Sequence, residues 1–210
     1  MATPVATKEG YIPFLGYRTW YRVVGTREES GRLPLLCLHG GPGAPHDYLE
    51  PLEAMAATGR RVILYDQLGC GNSDVPTDTS TYTMALYLEE LEGIRRALEL
   101  ERVHVFGHSW GGMLAMEYAL TQPAGLASLI LADTAASLPQ WVSKMRRLIA
   151  DLPSEVQETL SRNELAGTTD SSEYQEACRV FFRRHGGGRI DPRPDCLNPV
   201  SYTHLRAHET

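Results

Sequence analysis

The stretch VHVFGHSWGGMLAMEYAL, residues 103–120, decides the fold. Its first four residues form a short apolar run typical of a buried strand, and residues 110–120 have the length and character of a helix. Between them lies Gly107-His108-Ser109-Trp110-Gly111, a G-x-S-x-G sequence. A serine on a sharp strand-to-helix turn has its hydroxyl exposed at the C-terminal edge of a sheet. The stretch therefore predicts that Ser109 stands at such an edge.

Ser109 is the candidate nucleophile of this turn. The central residue of such a turn is held in strained backbone geometry, and small residues on both sides prevent clashes with the neighbouring strand and helix. Gly107 and Gly111 supply this clearance and Gly112 adds to it. The short pattern also occurs by chance, but its position between a strand and a helix favours a catalytic role.

A second glycine-rich motif, His39-Gly40-Gly41-Pro42-Gly43, follows the apolar run at residues 34–38. Acyl transfer places negative charge on a carbonyl oxygen, and backbone N–H groups must already point at that position. The expected donors are the amides of Gly41 and Trp110. A plain structural turn is the alternative. Because both motifs occur in the right order, each after its own strand, the pair favours a serine hydrolase with an oxyanion hole.

The rest of the chain alternates strands with helices up to Asp133. Such alternation predicts right-handed βαβ units and an α/β fold with a mostly parallel sheet. Further strand-like runs are residues 11–17, 18–24, 34–38, 61–65 and 129–132, the last three apolar enough for burial on both faces. Helix-like runs are residues 49–57, which are amphipathic, and 83–100. In the latter, Leu88, Leu91, Ile94 and Leu98 form an apolar stripe, with Glu89, Glu90, Arg95 and Arg96 outside it.

After residue 136 the pattern changes to three helix-like segments, residues 141–151, 154–165 and 172–185, with no buried strand between them. We therefore expect a core over residues 1–136 and an incomplete helical cap over residues 137–199. Residues 200–210, VSYTHLRAHET, resemble a translated sequencing adapter. These residues are excluded from the fold prediction. Their two histidines, His204 and His208, are likewise excluded from the catalytic candidates.

Several other candidates are set aside. The G-x-G of residues 66–73 lacks the third glycine and the helix of a dinucleotide site, which indicates a structural loop beside the active site. Asp133 follows a strand and could be a triad acid, although a loop or capping role is simpler. His39 and His108 lie in the motif loops and are expected to support the site. Because the triad order is Ser, acid, His, both partners should lie after Pro199.

Composition excludes some function classes. A net charge of -6 argues against a nucleic-acid binder, and there is no long apolar run for a membrane helix. The polar N-terminus lacks a signal peptide, so a cytoplasmic location is expected. The four cysteines are Cys37, Cys70, Cys178 and Cys196, and their spacing matches no metal-binding pattern. They are expected to be reduced thiols, and two of the four are expected to be buried.

Longer segments carry a family resemblance. They are LLCLHGGPGAPHDYLEPL (residues 35–52), YDQLGCGNSD (65–74), VFGHSWGGMLAMEYAL (105–120) and LILADTAASLPQWV (129–142). Together they resemble the proline iminopeptidase family of serine aminopeptidases, which includes L-amino acid amidases, and residues 166–185 resemble the cap of that family. The resemblance implies an α/β-hydrolase fold, truncated before its last strands.

The resemblance also implies an activity: removal of an N-terminal amino acid, often proline, from a short peptide or amide. No metal or cofactor is needed for it. Ser109 is then the nucleophile and Gly41 and Trp110 the oxyanion donors. Members bind the free amine through acidic cap residues, but the acidic residues here are more simply explained as solvated helix faces: Glu155, Glu158, Glu164, Glu173 and Glu176. The alternatives are a small-ester esterase or lactonase and a non-catalytic binding protein.

Overall fold

The computed structural model describes residues 6–186. The described residues divide into two compact units between Ala136 and Ser137. Of residues 6–186, the first unit holds the six strands and both motif loops, and the second is helical. Residues 187–210, with the proposed adapter segment and Cys196, lie outside the described residues.

One six-stranded sheet forms the centre of the first unit. Its strands are β1 (Thr7–Phe14), β2 (Tyr17–Val24), β3 (Leu35–Leu38), β4 (Val62–Tyr65), β5 (Val103–His108) and β6 (Leu126–Ala132). They lie in the order β1-β2-β4-β3-β5-β6. The pairs β1–β2 and β2–β4 are antiparallel, whereas β4–β3, β3–β5 and β5–β6 are parallel. The predicted α/β fold with a mostly parallel sheet is confirmed.

Helices connect the parallel strands. α1 (Met84–Ala97) precedes β5 and α2 (Trp110–Leu120) follows it. α1 begins where the Thr83 hydroxyl accepts a hydrogen bond from the Leu86 amide, 3.2 Å away. Before β4, where an amphipathic helix was expected, the chain forms a 3-10 helix, His46–Thr58. It contains Pro51, which has no N–H to donate to an α-helical bond.

The core lies on both faces of β3 and β4, all of whose residues are buried. Successive side chains of a strand point to opposite faces. Leu36 and Leu38 therefore join a cluster with side chains of α1 and α2. Leu35 and Cys37 join another with side chains of the 3-10 helix. Each fully buried leucine contributes about 1.5–3 kcal/mol, which explains why these strands are uniformly apolar.

Two charged residues of α1 are buried although the sequence places them outside its apolar stripe. Glu90 is 1% exposed and Arg95 is 7% exposed. Glu90 accepts hydrogen bonds from the Thr19 hydroxyl and the Leu68 amide. The Arg95 guanidinium donates to three backbone carbonyls, those of Leu100, Glu101 and Ala124. Helical periodicity cannot predict this burial, because it depends on polar partners from other elements.

β6 also differs from the prediction, which was burial on both faces. Ile130 and Leu131 are each 44% exposed. β6 is one of the two edge strands of the sheet within residues 6–186. Its apolar sequence matches a central strand, but burial of a strand requires neighbours on its far edge and on both faces.

The second unit contains α3 (Leu138–Ala150), α4 (Ser154–Ala166) and α5 (Ser172–His185), near the three predicted segments. These helices share a small core of Leu152, Leu160, Ala177 and Phe181. The acidic side chains named above as solvated are all exposed. That this unit is the start of a cap stays a prediction. Among residues 6–186, no helix is long and apolar enough to span a bilayer.

Candidate active site

Ser109 occupies the turn between β5 and α2 in a strained conformation. Its backbone has φ 52 and ψ -119, a region that costs a non-glycine residue about 1–3 kcal/mol. The turn is held from several sides. The Ser109 amide donates to the Ala132 carbonyl at 3.0 Å, and the Ser109 carbonyl accepts from the Thr134 hydroxyl at 2.7 Å and the Gly112 amide at 3.0 Å. These bonds hold the half-buried serine in the strand-to-helix turn that the sequence predicts.

The glycines on either side of Ser109 permit a close approach of backbones. A Cβ on Gly107 would overlap the carbonyl of Gly111, and a Cβ on Gly111 would overlap the carbonyls of Leu38 and His39. The start of α2 therefore packs directly on the end of β3. Any side chain at these two positions would force the serine turn apart.

The loop of residues 39–43 lies against this turn. A Cβ on Gly40 would be 3.1 Å from Ser109 Cβ and 3.0 Å from the Tyr48 hydroxyl oxygen. Gly41 has φ 119 and Gly43 has φ 91. The structure thus brings together the two motifs that were predicted to cooperate.

The amides of this region have different partners. The Gly40 N–H donates to the Tyr48 hydroxyl oxygen at 2.5 Å. Within residues 6–186, neither the Gly41 nor the Trp110 N–H has a hydrogen-bond acceptor. Trp110 opens α2, where the first amides of a helix have no intrahelical partner. The two N–H groups predicted as oxyanion-hole donors are therefore available. The Gly40 N–H is not, because it is already bonded to Tyr48.

Comparisons with known proteins identify the family of this chain. A sequence model of the α/β-hydrolase fold matches residues 34–175. A proline iminopeptidase of Clostridium botulinum is 43% identical over 205 residues, covering 96% of this chain. This chain belongs to the proline iminopeptidase family of α/β hydrolases. The predicted resemblance is confirmed.

Solved structures support the same family. A crystal structure of proline iminopeptidase from Mycobacterium smegmatis has a TM-score of 0.81 and 41% identity over 90% of this chain. The crystal structure of VinJ has a TM-score of 0.83 and 43% identity, also over 90%. The chain spans 69% of the Clostridium protein and 64% of each of these two structures.

His39 is buried and has a hydrogen-bond partner at each ring nitrogen. Its Nε2 accepts the Gln67 amide at 2.8 Å, so Nδ1 carries the proton and lies 2.9 Å from the Gly40 carbonyl oxygen. Burial lowers the pKa of His39. Because both ring nitrogens are occupied and the ring is neutral, His39 braces the glycine loop and cannot act as the base.

His108 and Asp133 form a loose pair beside the nucleophile. His108 Nε2 lies 3.7 Å from an Asp133 carboxylate oxygen, and its Nδ1 lies 2.9 Å from the Tyr48 hydroxyl. Burial lowers the pKa of His108, against the opposing charge of Asp133. The Asp133 side chain is 91% exposed. Within residues 6–186, no histidine is hydrogen bonded to Ser109, so neither His108 nor Asp133 takes up triad geometry.

Asp66 anchors the loop that follows β4. Its carboxylate accepts four hydrogen bonds of 2.8–3.0 Å from the amides and side chains of His46 and Asn72. Burial alone would raise the pKa of Asp66, but the hydrogen bond and charge of His46 outweigh it and lower the pKa. The carboxylate is therefore ionised at neutral pH, and it fixes the 3-10 helix to this loop.

His39, Asp66 and Cys70 place potential metal-ligating atoms within 4.8 Å of one another. The hydrogen bonds above use the lone pairs of Asp66 and of His39 Nε2. Burial raises the pKa of Cys70, which disfavours the thiolate that binds metals. The Cys70 thiol instead donates to the Gln67 carbonyl at 3.3 Å. The geometry fits a hydrogen-bonded support for the loops and not a metal site.

Two residues near the site were not predicted from the sequence: Tyr48 and Gln67. Tyr48 binds the Gly40 amide, and the Gln67 side chain contacts both His39 and Trp110. No local signal distinguishes either residue. Tyr48 lies in a helical stretch, and Gln67 belongs to a loop recognised only by its glycines.

Proposed function

We propose that this protein is a serine hydrolase that releases an N-terminal amino acid from short peptides or amino acid amides. The observation that carries the proposal is the pair of unbonded amides, Gly41 and Trp110, beside the strained Ser109 turn. The substrate class is supported by the relatives, which are proline iminopeptidases by name, and an N-terminal proline is therefore the first substrate to test.

The reaction follows from this arrangement in two steps. Ser109 Oγ attacks the substrate carbonyl while a base takes its proton, and the resulting oxyanion is bound by the amides of Gly41 and Trp110. The C–N bond then breaks, the leaving amine takes the proton, and an ester to Ser109 remains. Water attacks this ester in the second step, which releases the amino acid and restores the serine.

The acid and base of this reaction are proposed to follow Pro199 in the chain. In this fold the triad order is Ser, acid, His, and the relatives are longer than this chain. Of the described histidines, His39, His46 and His104 are hydrogen bonded to groups other than Ser109. A chain limited to the first 199 residues should therefore be almost inactive, because losing the base costs about 10⁶ in kcat.

Replacement of Ser109 tests the proposal in the full-length gene product. Ser109→Ala should abolish both hydrolysis of proline p-nitroanilide and labelling by a fluorophosphonate probe. Ser161→Ala, at an exposed position on α4, is the matched control and should leave both unchanged. Hydrolysis is followed by absorbance and labelling by mass spectrometry of the peptide that contains residue 109.

Other results would redirect the proposal. Turnover of p-nitrophenyl acetate without turnover of any amino acid anilide would indicate an esterase. An unlabelled but folded wild-type protein would indicate a binding module. Undiminished activity of Ser109→Ala would show that the nucleophile is elsewhere.

A further inference from the structure

Gln67 lies at the carboxyl end of β4, between the two segments that carry the candidate oxyanion donors. Only 2% of its surface is exposed. It follows Asp66, the anchor of the loop, and precedes Leu68, whose amide donates to the buried Glu90 carboxylate at 2.9 Å. The backbone on both sides of Gln67 is therefore fixed.

The side-chain amide of Gln67 bridges these two segments. Its Nε2 donates to the His39 carbonyl at 3.0 Å, and its Oε1 accepts from the Trp110 indole N–H at 2.8 Å. Only one orientation of the amide satisfies both bonds, since a carbonyl can only accept and an indole N–H can only donate. The Gln67 main-chain amide adds a third bond, to His39 Nε2 at 2.8 Å.

These contacts join parts of the chain that are distant in sequence. Gln67 is 28 residues from His39 and 43 residues from Trp110. His39 begins the loop that contains Gly41, and Trp110 supplies the other donor from its own backbone. The Gln67 side chain thus spans the gap between the two donor segments with a single rigid amide.

We propose that Gln67 is a positioning residue that sets the separation of the two oxyanion donors. This inference rests on the proposed function. A shift of about 1 Å in a positioned group can cost about 10²-fold in rate, and an entire oxyanion donor is worth about 10²–10³ in kcat. Loss of the Gln67 bridge should therefore act on the transition state more than on substrate binding.

The test uses the full-length gene product and proline p-nitroanilide. Gln67→Met, which keeps the length of the side chain and removes both hydrogen bonds, should lower kcat about 10- to 100-fold with KM within about threefold. Trp110→Phe keeps the backbone donor and removes only the indole N–H. It should also lower kcat. If the residues act as one unit, the double variant should be little worse than Gln67→Met alone.

Ser73→Ala is the matched control. Ser73 belongs to the same loop and is also buried, but it faces β2: it accepts from the Trp20 amide at 2.8 Å and donates to the Asp66 carbonyl at 2.5 Å. This variant should lower thermal stability while kcat of the folded protein stays unchanged. A second readout is the indole ¹H–¹⁵N resonance of Trp110, assigned with Trp110→Phe, which should move upfield in Gln67→Met.

Several outcomes would overturn the inference. They are a folded Gln67→Met with kcat within twofold of wild type, equal kcat losses in Ser73→Ala and Gln67→Met, and fully multiplicative effects in the double variant. If Gln67→Met does not fold, an unchanged kcat in Trp110→Phe overturns it instead. A failure of the proposed function is distinguishable, because Ser109→Ala would then remain active or the wild type would show no turnover.

Discussion

Two sets of polar side chains, one in each unit of the molecule, are held in opposite ways. In the first, Asp66, Gln67 and Glu90 are each at least 98% buried and connect separate elements. In the second, Glu176 pairs with Arg179 and Arg183 along one helix, and all three side chains are more than half exposed. A buried group that loses its partner cannot turn to water, whereas an exposed one can. The hydrogen bonds that fix the loops around Ser109 thus cannot be replaced by bonds to water. The ion pairs on the surface of α5 can be.

Of the changes that test this contrast, removal of the Asp66 side chain should reduce the stability of the protein most. Asp66→Ala leaves four donors of His46 and Asn72 without an acceptor, and the two of His46 are buried. The loss should reduce the free energy of unfolding by about 3–5 kcal/mol. The measurement is urea unfolding of the full-length protein, followed by circular dichroism. A loss below 1 kcal/mol would mean that the loop rearranges and that its polar contacts do not determine its structure.

Glu90 should make the folding stability depend on pH, and this effect is smaller than that of removing Asp66. Burial raises its pKa to about 7, from an ordinary value of 4.5. The folded state therefore holds a proton that the unfolded state releases, so stability should fall as pH rises from about 4.5 to 7. This difference corresponds to about 3 kcal/mol.

Glu90→Gln should remove that dependence. It retains an oxygen that can accept from Thr19 and Leu68, and it carries no charge. Urea unfolding at pH 4 and pH 8 should show equal stability of the two proteins at the lower pH and a more stable variant at the higher pH. The opposite order at pH 8 would show that the carboxylate is stabilised by partners other than these two.

Glu176→Ala should have the smallest effect. Its partners keep the pKa of Glu176 low through hydrogen bonding and charge, but the site is fully solvated and such pairs contribute little. No measurable change in the urea midpoint is expected, even though two ion pairs are lost. A shift comparable to that of Asp66→Ala would remove the contrast between the units.

Much of the fold could be predicted from local patterns. Residues 110–120 form α2 with the bounds expected, and the apolar runs at residues 34–38 and 61–65 became β3 and β4. Side-chain periodicity and strand–helix alternation are local properties, so they are legible in the sequence. The 3-10 form of the helix His46–Thr58 and the half-exposed β6 were not predicted. Amphipathic spacing does not distinguish the two helix types, and the burial of β6 depends on which neighbours cover the strand.

The sequence by itself determined the α/β class, the Ser109 turn and the glycines that permit it, since these follow from residue types at fixed short spacings. Tertiary structure alone decided that Glu90 is buried, that Tyr48 occupies the Gly40 amide, and that Gln67 reaches Trp110. Each of these contacts joins residues more than seven positions apart. Their partners are set by the order of strands in the sheet, and no periodicity within one element encodes that order.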